Sequence, residues 1–392
     1  MALALPLYLD NHSTTRVDPR VVDAMVPYFS EQYGNAASKY HEFGWRAEAA
    51  VERARRQIAD LIGAGQKEII FTSGATESIN FALKGIAEAN RFRGNHVITA
   101  ATEHKAVLDT CAKLEKMGFD VTYLQVDEHG MVSLSDLEKA INERTIAVSI
   151  MMANNEIGTI APVRDIGALC RERGVTFHTD ATQAVGKIPV DVRAMNIDAL
   201  SFSAHKMYGP KGVGALFLRE GGVRVAPQMD GGGHERGLRS GTLNVPGIVG
   251  FGSAAALCEQ EMKMDAARLG HLRSKLVEGI TSQLEETQIN GHPAERLSNN
   301  ANITFKGVKA DTLMMDMKDI AVSSGSACSS SSPEPSHVLA AIGLSREDVL
   351  SSIRFGLGRF TTDEEIDYAI DRVVETVKAA RKRTSQYELT HP

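Results

Sequence analysis

Short apolar runs recur through the first half of the chain and alternate with longer stretches whose apolar residues return every three or four positions. The runs Glu68–Thr72, His96–Ala100, Val121–Gln125, Ile146–Met151, Val175–Asp180, Ala199–Ser203 and Val213–Leu218 read as strands buried on both faces. Between them, Trp45–Ile62, Ile79–Phe92, Val107–Met117 and Val163–Arg173 carry helical periodicity. This alternation predicts an α/β fold on a mainly parallel sheet of seven strands, because a parallel strand needs a crossover, usually a helix, before its neighbour.

The pattern shifts near residue 245. Val245–Leu284 reads as a long helix, broken or bent at its glycines. Shorter elements follow at Ala301–Phe305, Asp311–Met317, Ala321–Ser323 and Ser352–Phe355, then a terminal helix near Asp363–Arg381. The expectation is a large domain over residues 15–260 and a smaller α+β domain formed by 1–14 plus 261–392, with the serine-rich segment 324–335 as a mobile loop on the latter.

Composition narrows the class. Of 392 residues, 43% are hydrophobic and 23% charged, enough for a large core and a smaller one. The net charge of -6 leaves no footprint for nucleic acid or an anionic membrane surface. No apolar stretch approaches the roughly 20 residues of a membrane helix. The start, Met1–Pro6, carries no basic n-region. Cys111, Cys170, Cys258 and Cys328 form neither a CxxC pair nor a metal-ligand spacing. A cytoplasmic, reducing location is therefore expected.

Candidate chemistry gathers at the ends of the predicted strands. Lys206, just past Ala199–Ser203, offers an amine that can form a Schiff base with a carbonyl cofactor. Asp180 closes the strand upstream and supplies a counter-charge for a pyridinium nitrogen, which together with Lys206 suits pyridoxal phosphate. Ser73-Gly74-Ala75-Thr76-Glu77 sits between a strand and a helix, where free N–H groups and the dipole's positive end favour an anion; Ser203 and His205 add donors for the same group. Taken singly, Lys206 also fits a surface lysine beside a turn, and Ser73–Glu77 an ordinary helix cap. Cys328 lies among serines, glycine and alanine, closed by Pro333-Glu334-Pro335, where an exposed and reactive thiol is more natural than a packed one. The other three cysteines lie in helical, partly apolar contexts and read as packing.

Several blocks, in order, extend the argument: Tyr8-Leu9-Asp10-Asn11, Phe71–Ser78, Thr102-Glu103-His104, Asn154–Gly158, His178–Gln183 and Ser201–Lys206. Over essentially its whole length the chain resembles the fold-type I, class V pyridoxal phosphate enzymes. Gly231–Gly237 with Arg239–Thr242, and Ser323–Cys328, make it similar to the cysteine desulfurases, above all the bacterial housekeeping iron–sulfur assembly type, with NifS-like nitrogenase enzymes as near relatives.

The resemblance implies pyridoxal 5'-phosphate as cofactor, L-cysteine as substrate and a homodimer with shared sites. His104 would stack on the pyridine ring, Asp180 would keep its nitrogen protonated and Gln183 would bond its phenolic oxygen. Ala75, Thr76, Ser203 and His205 would hold the phosphate, joined by Thr242 reaching into the partner subunit. Asn155, beside the cofactor, and Arg354 would grip the substrate carboxylate. Lys206 would act as base with His104 as a proton carrier, and Cys328 would take the sulfur as a persulfide, releasing L-alanine. No resident metal is expected; transient ligation of an iron–sulfur cluster by Cys328 stays open.

The long cysteine segment favours direct transfer to an iron–sulfur scaffold protein or another sulfur acceptor, tRNA thiolation included. Asn11-His12-Ser13-Thr14 departs from the usual alanine-rich start and leaves the role of His12 open, while Ala204 stands where glycine is common. The end, Tyr387–Pro392, lacks the longer tail by which the housekeeping enzymes dock their scaffold, so the acceptor is open too. A class V aminotransferase would use Lys206 and Asp180 alike but needs no such cysteine. A selenocysteine lyase is a closer rival, and a sulfur-relay docking protein with weak turnover is a rival of another class.

Overall fold

The computed structural model describes residues 3–324 and 335–390. Most of the expected loop, Cys328 included, lies outside the described residues. Strand β1 (Leu7–Tyr8) opens the chain, and β2 (Ile69–Thr72), β3 (His96–Ala100), β4 (Asp120–Leu124), β5 (Thr145–Ser149), β6 (Thr176–Asp180), β7 (Ala199–Ser203) and β8 (Gly214–Leu218) follow. These seven from β2 to β8 form one sheet in the order β2-β8-β7-β6-β5-β3-β4. Only β8 runs antiparallel, to both β2 and β7; the other pairs are parallel. The carboxyl ends of β2, β3, β5, β6 and β7 therefore share one edge, the edge at which open α/β sheets bind ligands.

The strands are apolar throughout because both faces are covered. In β2, Ile69 and Phe71 enter a core with Val148, Phe177, Leu200 and Phe202, while Ile70 joins Val97, Ile146 and Leu216 in a core on the opposite face. Each such buried Phe, Leu or Ile contributes about 1.5–3 kcal/mol by leaving water. Helices Glu42–Leu61 and Val245–Thr281 cover the first face, Ala75–Asn90 and Lys105–Lys116 the second.

The expected break in the long helix is not there: Val245–Thr281 runs as one helix of 37 residues. Its glycines serve close approach instead. A Cβ at Gly252 would lie 2.5 Å from Ala54 Cα, and one at Gly250 would lie 2.4 Å from Met25 Sδ.

Strands β9 (Thr287–Asn290), β10 (Asn300–Phe305), β11 (Ile320–Ala321) and β12 (Ser352–Gly356) complete the set. Antiparallel β12-β10-β9 form a three-stranded sheet, and β1 pairs in parallel with β11. Their core joins Leu7 and Leu9 from the start of the chain to Ile303, Phe305, Phe355, Ile366 and Val373. The long helix serves both cores, with Phe251 and Cys258 in the large one and Leu272, Leu276 and Ile280 in the small one; residue 260 falls within it. Helix Leu134–Ala140 escapes the apolar pattern because it is short and largely solvent-facing, and strand β9 because it is short and three of its four residues are polar. Among the described residues, no helix is long and apolar enough to cross a membrane.

Candidate active site

A cavity of about 510 Å³ opens at the carboxyl ends of the sheet. Nine of the predicted residues line it: Ala75, Thr76, His104, Asn155, Asp180, Gln183, Ser203, His205 and Lys206. They come from the ends of β2, β3, β5, β6 and β7, where neighbouring strands deliver residues distant in sequence to one place.

At one end, β2 stops at Thr72 and the helix Ala75–Asn90 begins with no side-chain cap. Ile79, Ala82, Leu83 and Ile86 bury its inner face, which fixes the direction of its first turn. The Thr72 hydroxyl meets Ser78 Oγ at 2.8 Å, and Glu77 accepts from Ser73 N at 2.7 Å while pairing with Arg239 at 2.8 Å. The backbone N–H groups after Gly74 are left for an anion. Close packing maintains this turn, since a Cβ at Gly214 would lie 2.6 Å from Gly74 Cα and 2.7 Å from Phe202 O.

Behind it, Arg55 makes two 2.7 Å bonds to Glu235, and Glu235 also accepts from Phe71 N at 2.8 Å. The guanidinium lies 4.6 Å from the centre of the Phe71 ring. The Gly231–Gly237 block thus braces β2 through a buried, fully bonded ion pair.

Asp180 ends β6 and is 4% exposed; its Oδ1 accepts from Thr182 N at 2.9 Å. Lys206 sits in the turn Ala204–Lys206 directly after β7 and is buried. Its Nζ donates to the backbone oxygens of His12 at 2.6 Å and Ser13 at 2.5 Å. His205 reaches Thr14 Oγ1 at 3.0 Å, and burial, then the charges of Lys206, Lys211 and Lys187, lower its pKa to about 4. His104 caps the helix Lys105–Lys116, with Nδ1 accepting from Ala106 N at 3.1 Å. In the neutral ring this leaves the proton on Nε2.

An uncapped helix start beside Ser203 and His205, a buried lysine and a buried carboxylate on one wall fit pyridoxal phosphate in its three recognition points: phosphate, aldehyde and ring nitrogen.

Two predicted residues lie elsewhere. Thr242 is exposed on this chain and does not line the cavity. Arg354, 0% exposed, stands on β12 beside the cavity wall. It donates to Asp10 Oδ1 and Ser13 Oγ at 2.8 Å each and to Asn155 O at 2.9 Å. Its Nε is buried and, among the described residues, has no hydrogen-bond partner.

The neighbouring strand position holds Ser323, whose backbone pairs with Arg354. Beyond residue 334, Ser336 Oγ donates to Glu156 at 2.5 Å and His337 Nε2 meets Glu103 O at 2.9 Å. Both ends of the segment holding Cys328 are therefore fixed against residues that flank Asn155, Arg354 and His104.

Sequence reasoning passed over Asp10, Ser13, Glu156 and Lys187. Asp10 stands within the Tyr8–Asn11 block, but its bond to Arg354 joins positions far apart in the chain. Burial pushes the Glu156 carboxyl up to about 7, against the pull of Ser336, Arg354 and His104. Among the described residues, no group of three or more His, Cys, Asp or Glu could hold a metal ion.

Residues 7–369 match the aminotransferase class-V family. The chain is 54% identical over 388 residues to "Cysteine desulfurase IscS" of Anaeromyxobacter dehalogenans, covering 99% of this chain and 96% of that protein. It is 53% identical over 390 residues to the protein of the same name from Shewanella frigidimarina, with the same coverage. A solved "NIFS-LIKE PROTEIN" superimposes with a TM-score of 0.90 at 41% identity, over 96% of this chain and all of that one. The structure titled "SspA in complex with cysteine" gives 0.79 at 38% identity, over 91% and 100%. The chain belongs to the aminotransferase class-V family and, within it, to the cysteine desulfurases.

Proposed function

We propose that the protein converts L-cysteine to L-alanine as a pyridoxal phosphate-dependent cysteine desulfurase and passes the sulfur on for iron–sulfur cluster assembly. The observation that carries this reading is a single cavity holding Lys206, Asp180 and the uncapped Gly74–Ala75 turn, in a chain with desulfurase relatives along nearly its full length.

The bound cofactor withdraws electrons from the substrate's α-carbon, which makes the α-proton acidic and the Cβ–S bond breakable. The protein's own groups do the rest. Ala75 and Thr76 N–H, Ser203 and His205 would hold the cofactor's phosphate. Asp180 would keep the proton on the ring nitrogen, His104 would cover the ring, and Gln183 would donate to the phenolic oxygen. Asn155 and Arg354 hold the substrate carboxylate; the partnerless Nε of Arg354 and its planar fork suit that role. Lys206 would move the α-proton of the bound substrate, with His104 Nε2 as carrier.

The Cys328 thiolate attacks the substrate sulfur. An S–S bond forms and the Cβ–S bond breaks; the electron pair of that bond stays on carbon and takes up a proton. Cysteine and a thiol thereby become alanine and a persulfide, with no external oxidant. The pairing of Ser323 with Arg354 and the bond of Ser336 to Glu156 support a part for the cysteine-bearing segment in this reaction.

The exposed aromatic side chains Phe29, Tyr33, Tyr40, Phe43 and Trp45, with Tyr40 at 96% exposure and Tyr33 packed on Phe43, support a homodimer in which Thr242 of one subunit reaches the site of the other.

The test is alanine formed from L-cysteine with a reductant, comparing native protein with Cys328→Ser, each also weighed by sedimentation. Alanine from the native dimer only is the expected result. Equal alanine from both would mean that sulfur leaves without Cys328, as in a lyase.

A further inference from the structure

A second lysine stands behind the wall of the cavity. Lys187 follows Gln183 by four residues, and its Nζ donates to Gln183 Oε1 at 2.5 Å. His12 Nδ1 meets the same oxygen at 3.0 Å, and Gln183 Nε2 gives one hydrogen to His12 O at 2.9 Å. An amide nitrogen carries two hydrogens, so one remains for the cavity that Gln183 lines. The amide is held in this sense. Turned over, its NH2 would face the Lys187 amine and its oxygen would face His12 O. Lys206 Nζ donates to that same His12 oxygen at 2.6 Å, so Lys187, Gln183, His12 and Lys206 form one chain of hydrogen bonds.

We propose that Lys187 is a positioning residue that fixes Gln183 as a donor and sets the pH at which the Lys206–cofactor linkage gains its proton. The inference rests on the reading of the cavity as a pyridoxal phosphate site.

Charged and titratable groups face Lys187 from several elements: Lys206 and His205 after β7, Arg354 on β12, Cys258 on the long helix and His12 from the start of the chain. Burial, then Lys206 and Arg354, lower its pKa to about 7, with Cys258 opposing. His12 is pushed well below its usual value by burial first and then by Lys187 and Arg354, so its ring stays neutral and the charge resides on Lys187. A charged Lys187 draws electron density from the Gln183 amide, strengthens its remaining N–H as a donor to a phenolate oxygen, and opposes a second positive charge at the linkage. A buried group that changes charge near neutrality then ties the linkage to the ambient pH.

The experiment is a pH titration of the visible absorbance of the cofactor-loaded protein, native against Lys187→Met and Lys187→Arg, with thermal unfolding and cofactor content as controls. Lys187→Met is expected to raise the midpoint by about one pH unit, while Lys187→Arg keeps it at or below the native value. An unmoved midpoint in a folded, loaded Lys187→Met protein overturns the role of Lys187. A native protein with no visible band overturns the cofactor reading itself, and this inference with it. If Lys187→Met fails to load, trace acetylation of the native holoenzyme over pH decides: a Lys187 midpoint near neutrality supports the proposal, and one near the ordinary lysine value of about 10 overturns it.

Discussion

On the proposed reading, the cavity has a cofactor end and a substrate end, and the two are built in different ways. At the cofactor end the groups stand at the carboxyl edge of one sheet, each a residue or a few past its strand: Ala75 after β2, His104 after β3, Asp180 at the end of β6, Lys206 after β7. Their positions follow from strand order and from turns held by glycine and small hydroxyl residues. At the substrate end, Arg354 lies on the small sheet, Asp10 and Ser13 near the start of the chain, and Asn155 after β5. Here geometry depends on two cores being packed together. A rigid end suits a resident cofactor, and an end made of several separately anchored segments suits a substrate that must enter, react and leave.

The largest effect that would break this comparison is expected at Arg354. Lys in its place keeps the charge but loses the fork, and its three N–H groups cannot satisfy Asp10, Ser13, Asn155 O and a carboxylate at once. Arg354→Lys should lower kcat/KM for cysteine about 100-fold, near 2.7 kcal/mol, mostly through KM, with cofactor affinity unchanged. Steady-state kinetics with parallel cofactor titration check it. A matching fall in cofactor affinity would mean that the two ends are a single unit.

The opposite substitution sharpens the contrast. The new Cβ of Gly214→Ala, 2.6 Å from Gly74 Cα, must push the phosphate turn aside. Its expected signature is cofactor binding weaker by about tenfold, near 1.4 kcal/mol, with the KM for cysteine in the reloaded enzyme close to native. Absorbance titration of the cofactor-free protein reads the first quantity and initial rates the second. A changed KM with native cofactor binding would reverse the assignment of the two ends.

What the sequence made legible divides along the same line. The doubly buried strands announce themselves as unbroken apolar runs, so Asp180 and Lys206 stand out as the polar residues that end them. Cys328 stands out by contrast with Cys111, Cys170 and Cys258, which are buried here. The bond of Asp10 to Arg354 spans most of the chain, and nothing in either local pattern marks it. Lys187 was equally hidden, since only the fold shows that it turns back toward Gln183 instead of into solvent. The glycines of the long helix misled for a related reason. Local propensity reads them as breaks, while their contacts with Ala54 and Met25 show them as room for a neighbour.

The smallest expected effect concerns the anchor of the cysteine-bearing segment. Glu156 is fully buried, and its pKa of about 7, raised by burial, lies above the ordinary carboxyl value that it takes in the unfolded chain. The group therefore favours the folded state in its protonated form. Its contribution is fully present below about pH 4 and is lost as pH rises through about 7, where a charge must be kept in the interior. Glu156→Gln keeps the shape and an acceptor for Ser336 Oγ without that charge. It should leave stability near native at pH 5 and, at pH 8.5, exceed native by on the order of 1–3 kcal/mol in urea denaturation. Equal stability of the two proteins at pH 8.5 would place the Glu156 charge in contact with solvent.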